Sequence, residues 1–330
     1  MRSHFVLLLF LLLAAPCLAH HVVEEDGDYV VTHEWRNGDR QWSCTLTLST
    51  ELYRYYQGRG HLSETMVEFV LSDYDRACLR SLVRSFREGG DQADYTDADN
   101  LRNVVSFVQS LRYVTDLEST GADDYVRFPV ETLVDGEGDC EDLAILAAAI
   151  LHEMGYDVML ALLPDHMALA LNCGFECDGV YYEYEGCRYY YLEVTDLGWT
   201  IGQIPAPYRT SRATLVPLDY RPTVRLRRSS YRHDAYYSTD REVPFVVECE
   251  LENAGPGPTD GLSARVVFST YHGRQVLNKV FPLEKLTEGE ASTYELRFNV
   301  PRPFQGRIEV FVDGDNFDAD TIRFDEVELQ

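Results

Sequence analysis

Phe128-Pro-Val-Glu-Thr-Leu-Val-Asp-Gly-Glu-Gly-Asp-Cys140-Glu-Asp-Leu-Ala-Ile-Leu146 is the stretch from which the fold of this chain is read. A Gly-rich acidic loop runs into a cysteine, and the cysteine opens an apolar segment. Asp139 is a good N-cap residue, and Asp142 stands three places on, where a capping-box acid belongs. From Leu143 to Leu151 every residue is apolar, so the expected helix is buried on all sides rather than amphipathic. Gly155 closes it at a C′ position. The Cys140 thiol is thereby placed at a helix N-terminus, where backbone N–H groups and the macrodipole favour the thiolate, the reactive form. A free cysteine is more often a small buried hydrophobe. A nucleophilic reading therefore needs a base and an orienting acid further along the chain.

The next segments supply both. Tyr156–Leu163 reads as a strand, Pro164-Asp165 as punctuation, and His166–Leu171 as the next strand. His166 thus lies one helix and one strand beyond Cys140, far enough for the chain to return to the helix start. Tyr189–Asp196 is a further strand, on which Tyr191, Glu193 and Thr195 share one face. If the two strands are antiparallel neighbours, Glu193 meets His166. The assignment is then Cys140 as nucleophile, His166 as base and later acid, and Glu193 as the acid that orients His166. The Cys140 backbone N–H is a candidate oxyanion donor. Asp196 competes for the orienting role, but Leu197-Gly198 beside it marks the strand as already turned. His152 lies within the helix that Cys140 opens and faces away from its N-terminus. Taken singly, His166 reads as an ordinary strand-end histidine and Glu193 as an exposed acid; the joint spacing carries the chemistry.

Four motifs in this order carry a resemblance: Gly138-Asp-Cys-Glu-Asp-Leu-Ala144, Gly155-Tyr-Asp-Val158, His166-Met-Ala-Leu-Ala170 and Tyr191-Leu-Glu-Val-Thr195. Together they resemble the transglutaminase-like superfamily, in particular its prokaryotic thiol-enzyme (cysteine peptidase) branch. The resemblance covers roughly residues 125–205. It implies an α+β, papain/transglutaminase-like core and acyl transfer through a thioester, with Cys140, His166 and Glu193 in the three catalytic positions. The family pattern in the third position is Trp-x-Asp-x-Thr, from which Glu193 departs. The resemblance does not choose between water and an amine as acceptor.

Around this core the chain divides as follows. Residues 1–19 read as a secretory signal, with Arg2 before an apolar run and Ala19 at the cleavage position. An uncleaved anchor and a lipid on Cys17 are the rival readings. Residues 20–204 form the thiol-enzyme domain, opening on a hairpin (Tyr29–Trp35, a turn at Asn37-Gly38, and Trp42–Leu48) and continuing through helices between Leu62 and Asp116. Residues 205–221, with three prolines, read as a linker. Residues 222–330 alternate in short apolar runs between turns, about the strand count of an immunoglobulin-like β-sandwich. Asn253-Ala-Gly255 and Val312-Asp-Gly-Asp-Asn316 resemble CARDB-type immunoglobulin-like modules of bacterial and archaeal surface proteins.

A formal net charge of −26 argues against nucleic acid as a partner. The expected partners are a protein or peptide substrate and a cell-surface partner for the sandwich, with the protein extracellular or at the cell surface. No cofactor is expected. Beyond Cys17 there are seven cysteines. With Cys140 set aside as a free thiol an even number remains, and Cys173, Cys177 and Cys187 are close enough for one local disulfide. Three metal readings are weaker: copper at His20 and His21, zinc at those three cysteines, and calcium at Asp313, Asp315, Asp318 and Asp320, which miss the EF-hand frame. The alternative to an enzyme is a catalytically idle scaffold that serves as a surface adhesin.

Overall fold

A computed structural model of the chain describes residues 20–61, 66–233, 239 and 241–329; the segment expected to be a secretory signal lies outside them. The protein is mixed α+β and divides into two compact units, one ending at Asp219 and one beginning at Tyr220.

In the first unit, β1 (His20–Glu25), β2 (Asp28–Asn37) and β3 (Arg40–Ser49) form an antiparallel sheet in that order. The expected hairpin is β2–β3, with Asn37 paired to Arg40 across the turn; β1 adds a strand that the sequence reading did not separate. The helices are α1 (Thr50–Gln57), α2 (Val67–Val70), α3 (Arg76–Gln92) and α4 (Asp97–Gln109). The two-residue strand β4 (Arg112–Tyr113), α5 (Asp116–Ser119), α6 (Pro129–Asp135), the two-residue strand β5 (Glu137–Gly138) and α7 (Cys140–Glu153) follow.

Helix α7 is the hub. Asp139 caps it by accepting from the Asp142 N–H at 3.4 Å, and the Asp142 carboxylate accepts from the Asp139 N–H at 3.3 Å, so the capping box is reciprocal. At the other end Tyr156 N–H donates to Leu151 O (3.0 Å) and Gly155 N–H to His152 O (2.9 Å), with Gly155 at φ +92°. This is the Schellman pattern, and it explains why Gly155 stops the helix. Every residue from Asp142 to Leu151 is buried, because α7 is packed on all sides by α3, α4, α6 and the strands β6 (Asp157–Leu163) and β7 (His166–Asn172).

Those strands belong to an antiparallel sheet of order β10-β6-β7-β9-β8, with β8 at Tyr181–Tyr184, β9 at Cys187–Leu192 and β10 at Thr214–Pro217. The β6–β7 turn is Pro164-Asp165, with Leu163 paired to His166 and Asp165 in the left-handed region at φ +54°. Strand β10 falls within the stretch read as a linker. The stretch is not all linker: Leu215 and Val216 pair with Ala161 and Leu160 of β6, and Pro217 ends this edge strand opposite Met159, a position that tolerates proline.

The second unit is all-β. One antiparallel sheet has order β11-β12-β15 and the other β14-β13-β16-β17. Their ranges are Val224–His233 (β11), Glu242–Asn253 (β12), Ser263–Thr270 (β13), Gln275–Pro282 (β14), Ala291–Pro301 (β15), Phe304–Asp313 (β16) and Asp320–Leu329 (β17). Alternate residues of both sheets, among them Val247, Leu251, Val266, Phe268, Phe298 and Val310, meet in one core.

Leu146 lies fully buried at the middle of α7. Leu146→Ala is expected to destabilise the first unit by about 2–5 kcal/mol. Chemical denaturation followed by tryptophan fluorescence reads the change, since Trp35 and Trp42 are both buried in this unit.

Candidate active site

The strand register brings two of the three expected residues into direct contact. Strand β9 lies antiparallel beside β7, with Leu192 opposite Leu169 and Tyr191 opposite Ala170, so Glu193 emerges at the β9 end beside the start of β7. His166 Nε2 and Glu193 Oε2 are 2.9 Å apart. Glu193 is 1 % exposed, which separates it from an ordinary surface acid. All of its acceptor capacity is used. Tyr191 Oη donates to Oε2 at 2.7 Å; Thr195 Oγ1 at 2.8 Å and the Val194 and Thr195 N–H groups at 3.1 and 3.2 Å donate to Oε1. Burial alone would raise this carboxyl, but the bonds from His166, Tyr191 and Thr195 outweigh it and hold the group at about 2.

Cys140 lies at the N1 position of α7 and is half-buried. The backbone N–H of Met167, the residue after His166, is near enough to its sulfur to favour the thiolate. The structure therefore brings the thiol to the start of β7. It does not bond the thiol to the imidazole: Cys140 Sγ donates to Glu141 Oε2 at 3.0 Å. Burial, then the charge and hydrogen bond of Glu141, push the thiol up, while the Met167 N–H opposes them. Because Glu193 holds Nε2 of His166, Nδ1 is the nitrogen left for another partner. Asp196 makes its side-chain bond to the next backbone N–H, that of Leu197, and takes no part.

Several residues that sequence reasoning missed hold these groups in place. Arg127 is buried and donates to Asp142 Oδ2, to Asp135 Oδ2 (3.2 Å), to Asp116 Oδ1 (3.3 Å) and to Ser119 Oγ (2.7 Å), while its backbone N–H donates to Asp142 Oδ1 at 2.7 Å. Burial raises Asp142 to about 6, against the pull of Arg127. Gln109, at the end of α4, donates to the carbonyls of Glu193 (2.8 Å) and Trp199 (2.9 Å) and fixes the chain that follows β9. Tyr208 lies flat on His166, with ring centroids 4.6 Å apart and planes at 7°. A lone arginine or glutamine in an apolar context is a detectable oddity in sequence. Tyr208 gave no signal, because its segment reads as a linker.

Acids crowd the thiol. Ligand atoms of Asp139, Cys140 and Glu141, of Asp116, Asp124 and Glu141, and of Asp116, Asp139 and Asp142 form three groups, each within 4.8 Å. Such an oxygen-rich set is the kind that hard cations accept. The metal readings made from sequence find different ground. His20 Nε2 bonds the Val134 carbonyl at 2.9 Å. Cys173 and Cys177 form a disulfide, leaving Cys187 free and exposed, so the three sulfurs are not a ligand set. Cys44, Cys78, Cys140 and Cys249 are free as well, so the even set does not pair off. Among the described residues, the aspartates at 313–320 form no such group; Asp313 accepts from Ser263 Oγ and Asp320 from the Leu226 N–H.

Two outcomes follow from this geometry. Arg127→Ala leaves Asp142 buried without its cation and is expected to cost about 3–5 kcal/mol, read as a lowered denaturation midpoint. Glu193, with its depressed titration, contributes stability that is fully present above about pH 4.5 and is lost as pH falls through about 2. Wild type should therefore lose stability relative to Glu193→Gln across that window in acid-titrated melts; parallel curves would contradict it.

No family model matches the chain, and no curated protein does. Among solved structures, LapG of Legionella pneumophila is similar at 23% identity and a TM-score of 0.29, over 51% of this chain and 78% of LapG. The ApaA protein of Bordetella pertussis is similar at 16% identity and 0.25, over 32% of this chain and 92% of that one. The C-terminal domain of Wzt is similar at 8% and 0.23, over 32% and 70%. These likenesses are too distant to bear on the chemistry.

Proposed function

We propose that the first unit is a thiol enzyme of transglutaminase-like, papain-like type. It transfers acyl groups at amide bonds of proteins or peptides, to water or to an amine, through Cys140, His166 and Glu193. The observation that carries this reading is the His166–Glu193 bond at 2.9 Å, made by a buried and fully satisfied carboxylate beside the strand start where the Cys140 sulfur rests. A buried acid committed to one imidazole nitrogen fixes the tautomer and stabilises the imidazolium.

In this mechanism the Cys140 side chain turns from Glu141 to Nδ1 of His166 and passes its proton there. The thiolate attacks the amide carbonyl, forming the S–C bond. The tetrahedral oxyanion is met by the N–H groups at the open end of α7, which lack intrahelical partners. Collapse breaks the C–N bond as Nδ1 returns its proton to the leaving amine. Water or a second amine, deprotonated by the same nitrogen, then attacks the thioester carbonyl, and the S–C bond breaks to free the acyl product and return the thiolate, which takes the proton back from Nδ1. We further propose that the chain is exported, by virtue of residues 1–19, and that the β-rich second unit, which we read as a CARDB-type immunoglobulin-like module, contacts a surface partner.

A second reading has its own support. The thiol bonds Glu141 and is pushed up by burial and that carboxylate, the arrangement of an idle site. Under it the chain is an adhesin built on a silent scaffold.

Cys187 supplies the internal standard, being free and exposed. The thiol-enzyme reading expects iodoacetamide at pH 7 to label Cys140 faster than Cys187, and His166→Ala to slow Cys140 by at least tenfold. It also expects Cys140→Ala to abolish cleavage or cross-linking of a peptide library. Labelling of Cys187 first, with Cys140 indifferent to His166, favours the idle scaffold.

A further inference from the structure

We propose that Tyr208 is a positioning residue for His166, its ring acting as a lid on the imidazole that holds the ring plane and favours the charged form. The inference rests on the thiol-enzyme reading and adds to it a residue from outside the three motif segments.

The geometry is specific. The two rings are parallel to within 7° at 4.6 Å. His61 and Tyr125 stack face-on in the same unit as well, at 3.7 Å and 16°, so what sets Tyr208 apart is that the imidazole it covers is the one bonded to Glu193. A face-on contact with an imidazole is the arrangement in which an aromatic ring stabilises a cation, since the negative face of the quadrupole meets the charge. It stabilises neutral imidazole much less, so the contact grows when Cys140 gives up its proton. The lid also supplies a constraint that Glu193 cannot. One hydrogen bond at Nε2 leaves the imidazole free to tilt about that bond, which would carry Nδ1 away from the thiol. A ring lying flush on one face blocks the tilt.

Tyr208 is itself held. It ends a short 3-10 turn, Ala206–Tyr208, in which its N–H donates to Pro205 O at 3.0 Å, and the Ser211 N–H donates back to Tyr208 O at 3.0 Å. Tyr208 packs against the small apolar cluster formed by Leu163, Ala168, Tyr191 and Ile204. Strand β10 ties the following chain to β6. The segment 205–213 is thus a strap fixed at both ends, with one aromatic residue laid on the imidazole. The charged and titratable groups around that imidazole are Glu193 at Nε2, Tyr208 on its face, Asp165 just before it in the turn, and Cys140 beside Met167. Among these Tyr208 is the aromatic ring in contact.

The test measures the rate of Cys140 alkylation by iodoacetamide at pH 7, by mass spectrometry on the full chain, in a double-mutant cycle. Tyr208→Phe keeps the ring and should stay within twofold of wild type. Tyr208→Leu keeps apolar packing and should slow alkylation at least fivefold. In a His166→Ala background Tyr208→Leu should have no further effect, because the ring acts through the imidazole. A Tyr208→Leu rate within twofold of wild type overturns the proposal. So does an equal slowing with and without His166, which would mark Tyr208 as packing alone. Should Tyr208→Leu not fold, pentafluorophenylalanine at this position, which keeps the shape and reverses the quadrupole, takes its place with the same two outcomes. Failure of His166→Ala itself to slow Cys140 would remove the thiol-enzyme reading and this inference with it, and so is told apart from failure of the lid alone.

Discussion

One carboxylate, Asp142, ties the candidate site to the rest of the first unit. Its oxygens accept from the Asp139 N–H to close the cap of α7, from the Arg127 backbone, and from the Arg127 guanidinium. The same side chain thus terminates a helix and clamps the chain that leads into α6. Gly138 shows how tight the clamp is, since a Cβ there would stand 2.5 Å from Asp142 Cβ. The motif needs glycine at 138 because an acid occupies the space a side chain would take. Moving Asp142 would move Cys140, two residues upstream, and with it the alignment of thiol and strand.

Electrostatics around that clamp run against the usual logic of a thiolate. A helix N-terminus favours an anion, yet burial and the neighbouring Glu141 carboxylate act against it at this sulfur. Burial and that carboxylate raise Cys140, Asp139 and Asp116 together. The resting state is therefore a protonated thiol bonded to Glu141. Turnover through the proposed mechanism begins by exchanging that carboxylate for an imidazole, so the features that favour imidazolium carry much of the work: the Glu193 bond on one nitrogen and the Tyr208 face.

Much of this core could be read from residue order because its determinants are local. The Asp139–Asp142 box, the apolar run to Leu151 and Gly155 are short-range signals, and the helix follows them residue for residue. The β6–β7 turn at Pro164-Asp165 and the shared face of Tyr191, Glu193 and Thr195 are local as well. What stayed hidden depends on residues distant in sequence. Strand β10 reads as a linker because its partner, β6, lies some fifty residues away. Gln109 reads as the polar end of a helix, and only the fold shows it bonding the chain after β9. The thiol's choice of Glu141 over His166 is a rotamer and charge question that no pattern encodes.

The convergence itself has a simple mechanical basis. Helix α7 is apolar all round, so it must be enclosed, and β6 and β7 enclose one side of it. The two-residue turn fixes the β6–β7 register, which sets where His166 falls relative to α7. The β7–β9 register then sets where Glu193 falls relative to His166. A slip of one residue in either pairing would turn the polar side chain to the opposite face of the sheet. It would also put Ala168, Leu169 and Leu192, now fully buried, toward the wrong layers. The packing that excludes such slips is apolar and lies away from the site. The hydrophobic core therefore enforces the placement of the polar groups, and those groups need only complete their hydrogen bonds where the core has put them.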